Sequence, residues 1–192
     1  MKNKSVLRLT ITAILTALCY VSFAVLKITI PTPLGYTSFH LGNVMCVVAA
    51  LLLGGVTGGL VGAIGMGIGD ILDPVYIMIA PKTIILKMMI GLVVGAFGHK
   101  LFKINTLEGK KLTTAVIVSS ASGMIANMIS EPVFGYFYYK YVLNAPDKAL
   151  KALLGYNLVS TSINAILTVA IATTIYLVLR NRFKNILNNI ND

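Results

Sequence analysis

The stretch "LGNVMCVVAALLLGGVTGGLVGAIGMGIGDIL" (41–72) runs apolar to its last turn, where its one charged residue, Asp70, stands. A helix crosses a bilayer with about 20 apolar residues, and shorter ones are tolerated when tilted or sheltered by neighbours. The stretch therefore reads as two short spans, 41–54 and 57–72, meeting at "GGVT" in a tight helical hairpin; one interrupted span is the alternative. The rest of the chain agrees. Of its 192 residues 57% are hydrophobic and only 11% charged, against about 25% charged in a soluble domain, and mean hydropathy is +0.86. No single soluble core could bury so much apolar surface, so lipid must be the solvent.

Outward from this stretch, further apolar runs fall at 6–26, 80–98, 113–139 and 152–180. The expected fold is an all-α integral membrane protein, a six-transmembrane-helix bundle forming one domain over residues 1–192. Orientation follows the Lys/Arg bias of the loops. With six spans, ten of the basic residues lie on the side of the two termini and four on the other, which predicts both termini cytoplasmic. The net charge of +10 is thus spread over segment ends, with no basic patch for nucleic acid. The N-terminal run continues to Leu26, as a membrane span would, past the Ser22-Phe23-Ala24 that resembles a signal-cleavage site. Cys19 and Cys46 lie within apolar runs and read as buried thiols.

Glycines recur four apart in the third span: Gly55 and Gly59, Gly58 and Gly62, Gly65 and Gly69. Such spacing lets helix backbones approach closely in lipid, and packing inside the bundle is the favoured use over a subunit interface. The outer loop "KITIPTPLGYTSFH" (27–40) is too rich in proline and aromatic residues for a plain connector.

Ionisable residues inside a span are costly and usually face the bundle interior. Four qualify here: Asp70, Lys82, Lys87 and Glu131. At a rise of about 1.5 Å per residue, Lys87 and Glu131 both sit roughly 8–12 Å below the outer surface, as an ion pair or as contacts to a shared ligand. Asn127 shares a helix face with Glu131. Asn157, Ser160 or Thr161, and Asn164 form a stripe on the sixth span. These groups stop at the outer half, since the inner half carries at most hydroxyls that bond back to their own helix. The pattern predicts a pocket open to the outside, lined by Glu131, Lys87, Asn127, Asn157 and Asn164 and rimmed by Tyr36, Phe39, Tyr138 and Tyr139. His40 at its lip is either a contact to the ligand or an interfacial histidine. Pro132, beside Glu131, removes a backbone donor and suits a wider mouth.

An Asp-x-x-Asp in "GDILDP" suggests metal-dependent transfer only if more carboxylates join it, and the chain has few. It also lacks a metal-ligand cluster, a phosphate-binding glycine loop and a nucleophile elbow. No catalytic residue, metal or cofactor is predicted, and the chain is not expected to be an enzyme.

The run "FHLGNVMCVVAALLLGGVTGGLVGAIGMGIGDILDP", the run "APKTIILKMMIGLVVGAFGHK" and the "AILTA" of the first span together resemble the S components, the substrate-binding subunits, of energy-coupling factor (ECF) vitamin transporters. The riboflavin-type branch is the nearest in pattern. The resemblance implies high-affinity capture of a small water-soluble vitamin from outside, in a pocket capped by outer loops. It implies delivery to a membrane coupling protein and two cytoplasmic ATPases, docked through Ala13 and Ala17. It also implies multi-pass residence in a cell membrane, expected to be a bacterial plasma membrane. Of its ligands, pyridoxine or hydroxymethylpyrimidine suits this inventory of one cation, one anion, amides and aromatics; riboflavin stays open, and cobalamin would need a wider mouth. The alternative function is a self-sufficient small-solute channel or proton-coupled carrier.

Overall fold

The computed structural model describes residues 2–32 and 35–191, with side chains described over 4–182 of these. The chain is a helical membrane bundle. In order it runs α1 (Lys2–Ala24), β1 (Lys27–Thr32), β2 (Gly35–His40), α2 (Gly42–Leu53), α3 (Gly55–Leu72), α4 (Ala80–Gly95), α5 (Gly109–Phe137) and α6 (Asp147–Asn191). Wide π-helical turns extend α4 through Ala96–Leu101 and α5 through Tyr138–Val142. Five helices, α2 excepted, are long and apolar enough to cross a membrane. Exposed Ile64, Ile68, Ile125, Ile129, Ile163 and Ile166 give them a surface suited to lipid.

α2 is different. Twelve residues span only about 18 Å, too short to cross alone, but α2 is the centre of the bundle. All its residues except Met45 are buried, and a helix that is apolar all round belongs inside. It turns back into α3 at Gly54, whose φ of 96° suits glycine alone. The "GGVT" stretch is thus the turn of a helical hairpin, as expected. There Gly58 lies so near α2 that an added Cβ would fall 2.4 Å from Ala50.

The glycines of α3 pack inside the bundle. Gly55 and Gly59 meet Gly95 and Gly91 of α4, where a Cβ on Gly91 would stand 2.0 Å from the Gly59 nitrogen. Gly62 faces Cys46 of α2, and Gly65 and Gly69 face Cys19 and Phe23 of α1. The α4 half of the α3–α4 seam escaped the sequence reading because Gly91 and Gly95 lie in an otherwise ordinary apolar run.

One element departs from the all-α expectation. The first outer loop forms an antiparallel hairpin in which Lys27 pairs with His40 and Thr32 with Gly35. Its Ile, Thr, Tyr and Phe residues are strand formers. Lys27 ion-pairs with Asp73 just after α3 and sits 4.7 Å from the Tyr76 ring centroid, which fastens the base of the hairpin.

At the opposite end, Arg8 donates to the Leu53 carbonyl and to Thr57 Oγ1. Arg180 donates to the carbonyls of Ile104, Asn105 and Leu107. These arginines tie both termini to the end of the bundle that holds the α2–α3 turn and the α4–α5 loop. α5 runs unbroken through Pro132, so the proline does not end the helix.

Candidate functional site

Beneath the hairpin, all six helices converge on one cavity of about 90 Å³. Its position follows from the chain path. The hairpin joins the end of α1 to the start of α2, so it roofs the end of the bundle away from the termini. Phe23 of α1, Ser38 and His40 of β2, Asn43 of α2 and Asp70 of α3 form one side. Lys82, Thr83 and Lys87 of α4, Asn127 and Glu131 of α5, Tyr76 and Tyr139, and Asn157, Ser160 and Asn164 of α6 form the rest.

Glu131 anchors the α4–α5 wall. Its Oε1 accepts from Lys82 Nζ at 2.7 Å and from Asn157 Nδ2 at 3.2 Å, and Lys82 also stands 4.9 Å from the Tyr139 ring centroid. Of the two alternatives for Glu131 and Lys87, the ion pair is therefore corrected: the partner is Lys82. The reason is register. Lys82 lies in the first turn of α4, whereas Lys87 is five residues, about 7.5 Å, further along the axis. The wide turn after α5 also carries that helix beyond the end assumed in counting depth. Lys87 remains in the cavity wall, but among the described residues it joins no ion pair.

The polar stripe of α6 holds the roof. Ser160 Oγ donates to the Ser38 carbonyl at 2.7 Å, and Asn164 Nδ2 donates to the same carbonyl at 3.1 Å. The His40 amide in turn donates to Asn164 Oδ1 at 3.1 Å. The His40 ring lies edge-on to Phe23, centroids 4.8 Å apart. Burial, followed by the charges of Lys87 and Lys27, pushes its imidazole down to about 3, so His40 is neutral at physiological pH.

Seven of the ten residues expected at a ligand site line the cavity: Glu131, Lys87, Asn127, Asn157, Asn164, His40 and Tyr139. Three do not. Tyr36 is 44% exposed near the hairpin tip. Phe39 points to the other face of β2, into an apolar groove with Tyr156 and Val159 of α6, because strand side chains alternate. Tyr138 instead donates its hydroxyl to the Met78 carbonyl at 2.7 Å, and its neighbour Tyr139 takes the cavity side. Ala13 and Ala17 are exposed on α1, beside exposed Ile14, Leu18 and Val21, while Leu15, Cys19 and Phe23 face the core.

Sequence reasoning did not place Asp70, Lys82, Asn43, Thr83 and Tyr76 at the site. Asp70 and Lys82 carried a signal as intramembrane charges. Asn43, two residues into an apolar run, was a quieter one.

Known proteins agree with this architecture. Residues 3–181 match the family described as "ECF-type riboflavin transporter, S component". A protein of Pyrococcus woesei described as "Uncharacterized protein in gap 3'region" is 30% identical over 130 residues, which cover 68% of this chain and 76% of that one. No solved structure gives a significant match. With nearly the whole chain matched, and a membrane helix bundle enclosing a roofed polar cavity, the protein belongs to the ECF-type riboflavin transporter S component family.

Proposed function

We propose that this chain captures a small water-soluble vitamin from outside a cell membrane and delivers it to an ATP-driven import complex. The observation that carries the reading is the roofed polar cavity, in which Lys87 and Asp70 join no ion pair among the described residues. A fold selected only for stability gains little from buried polar groups of this kind. Below the cavity the interior is filled by Val47, Leu51, Ile90, Val94, Val116 and Met124, none more than 1% exposed. That filling supports a binding subunit over the alternative of a self-sufficient channel or proton-coupled carrier.

The lining, with two cations, two carboxylates and amides beside Phe23, Tyr76 and Tyr139, supports a small polar ring, pyridoxine or hydroxymethylpyrimidine, over riboflavin. The proposed partners are a membrane coupling protein and two cytoplasmic ATPases. The exposed Ala13–Ala17 face of α1 supports docking there, since small residues let another helix approach. The loop charges support termini in the cytoplasm.

The test is to purify the chain in detergent, identify co-purified small molecules by mass spectrometry, and titrate it with hydroxymethylpyrimidine, pyridoxine and riboflavin. Submicromolar binding of one of them is expected for capture from dilute solution, at about −8 kcal/mol or better. Transport by liposomes holding this chain alone, without vitamin affinity, would sink the proposal. Replacing Ala13 and Ala17 together by Leu is expected to abolish uptake in cells that hold the whole complex, with vitamin affinity unchanged. Loss of both would mean misfolding rather than failed docking.

A further inference from the structure

The cavity holds two cations and two carboxylates, and the four are not equivalent. Glu131 is compensated by Lys82 and Asn157. Asp70 and Lys87 join no ion pair among the described residues. Asp70 is 1% exposed, and its Oδ2 has no hydrogen-bond partner, as is true of Glu131 Oε2, Asn43 Oδ1 and Asn127 Oδ1. Leaving a buried polar atom unpaired costs about 1–3 kcal/mol, and here six such atoms belong to the lining of one space, His40 Nδ1 and the Tyr76 hydroxyl being the other two. Turning either asparagine amide would exchange an oxygen for a nitrogen, but a carboxylate has no such freedom. Asp70 and Glu131 therefore fix the polarity at their own positions: each open carboxylate oxygen accepts a hydrogen bond.

Two lysines and two carboxylates balance, so a ligand that keeps this balance is uncharged. It must donate to Asp70 and offer Lys87 an acceptor. An amino group on a nitrogen heteroaromatic ring does both, because it carries two donors beside a ring nitrogen that only accepts. A ring hydroxyl has one donor and can turn to accept instead, so it distinguishes the two poles less well. A phosphate ester adds acceptors and negative charge, which the unpaired oxygens oppose. Phe23, Tyr76 and Tyr139 supply apolar faces for a ring.

We propose that Asp70 is the specificity-determining acceptor of this cavity, and that its ligand is an uncharged, amino-bearing, single-ring nitrogen heteroaromatic whose amino group donates to Asp70 Oδ2 and whose ring nitrogen accepts from Lys87. The inference rests on the reading of the chain as a vitamin-capture subunit.

The test titrates the full chain in detergent with hydroxymethylpyrimidine, its oxo analogue (a carbonyl replacing the amino group), pyridoxine, pyridoxal phosphate and riboflavin. The amino ring is expected to bind at least about tenfold tighter than the oxo ring, which turns a donor into an acceptor. Pyridoxal phosphate is expected not to bind. Asp70→Asn keeps the shape of the side chain; it should weaken the amino ring about 10- to 100-fold and remove the preference over the oxo ring, whose carbonyl can accept from the new amide. A purely structural role for Asp70 would weaken both rings equally and overturn the assignment. The comparison of the two rings on the unmodified chain needs no variant, so it stands even if Asp70→Asn does not fold. Binding of riboflavin or pyridoxine without the amino ring overturns this inference and leaves vitamin capture in place. Binding of none of these compounds overturns both.

Discussion

The outer and inner halves of the same helices are built to different rules. Outward, α4, α5 and α6 present Lys82, Lys87, Glu131, Asn127, Asn157 and Asn164 to a cavity. Inward, the same helices bury Val94, Val116 and Ala172 at 0% exposure, and among the described residues the neutral polar side chains buried there carry only hydroxyls. Ser119 bonds back to the Ala115 carbonyl at 2.7 Å, while Thr168 and Thr173 bury hydroxyls with no partner. The inner half is held by close backbone contact and dry packing, and closed at its end by the bonds of Arg8 and Arg180 to backbone carbonyls. The outer half is held by a few directional polar bonds around a space. One end is a clamp and the other a receptacle, so perturbing each should give a different signature.

The largest effect is expected at the receptacle. Glu131→Ala leaves the Lys82 ammonium, 6% exposed, without its anion, and breaking a buried pair from one side costs about 3–5 kcal/mol. Thermal unfolding in detergent should show that loss together with loss of ligand affinity. Lys82→Met combined with Glu131→Leu should recover most of the stability and none of the affinity. Recovery of both would mean that the pair only fastens α4 to α5, and the contrast between the halves would fall.

The clamp should break without any ligand signature of its own. Gly91→Ala forces a methyl to within 2.0 Å of the Gly59 nitrogen, a backbone atom that cannot swing aside. A loss of about 3 kcal/mol, at the upper end of overpacking, is expected, with the affinity of the folded fraction unchanged. Gly155→Ala on exposed α6 meets nothing within 4 Å and should stabilise by up to about 1 kcal/mol. Equal effects at the two glycines would refute the close-contact reading.

The roof is intermediate. Asn164→Ala removes two of the three bonds that hold β2 to α6, leaving Ser160 on the Ser38 carbonyl. A loss of about 1–3 kcal/mol is expected, confined to the hairpin. Hydrogen exchange should speed up about tenfold or more at the amides of residues 36–40 and stay unchanged in α2. Faster exchange throughout the bundle would show Asn164 to be a core fastener instead.

These contrasts show what was legible in the sequence. Apolar runs, the "GGVT" turn and the spacing of Asn127 with Glu131 and of Asn157 with Asn164 are properties of single helices, and periodicity reveals them. The partner of Glu131 is a property of two helices. It depends on how far α4 has slid along α5, which no pattern within either helix records, so the ion-pair alternative for Glu131 fell on Lys87 rather than Lys82. Tyr138 and Tyr139 differ by one residue, about 100° around a helix, and the wide turn that begins there shifts the phase again. Tyr36 lies on the same strand face as Ser38 and His40, but two residues nearer the tip, beyond the reach of the bundle. Asp70 appeared as a charge without an enzyme to serve; only the packing of α3 against α4 turned it toward the same space as Glu131.

The smallest effect concerns the base of the roof, where Lys27 and Asp73 join the first strand to the end of α3. Burial alone would raise the Asp73 carboxyl, but the hydrogen bond from Lys27, the Val75 amide and the Lys27 charge outweigh it and hold the carboxyl below its ordinary range. A carboxyl lowered in the folded state stabilises that state fully above its unfolded value of about 3.9. The contribution fades as pH falls through the lower folded value. The pair is partly solvated, with side chains 17% and 25% exposed, so it contributes at most about 1 kcal/mol. Asp73→Asn should therefore unfold slightly below the unmodified chain at pH 7, and the gap should close as pH drops below about 4. Because every other acid-sensitive group is common to both proteins, the difference between the two melting curves isolates Asp73. Because the Asn oxygen can still accept from the Val75 amide, as Asp73 Oδ1 does at 3.0 Å, a gap that persists into acid would mean that Asp73 acts through a fit to Lys27 that the amide does not reproduce rather than through its charge, and that the base of the roof is fastened by geometry, as the clamp is.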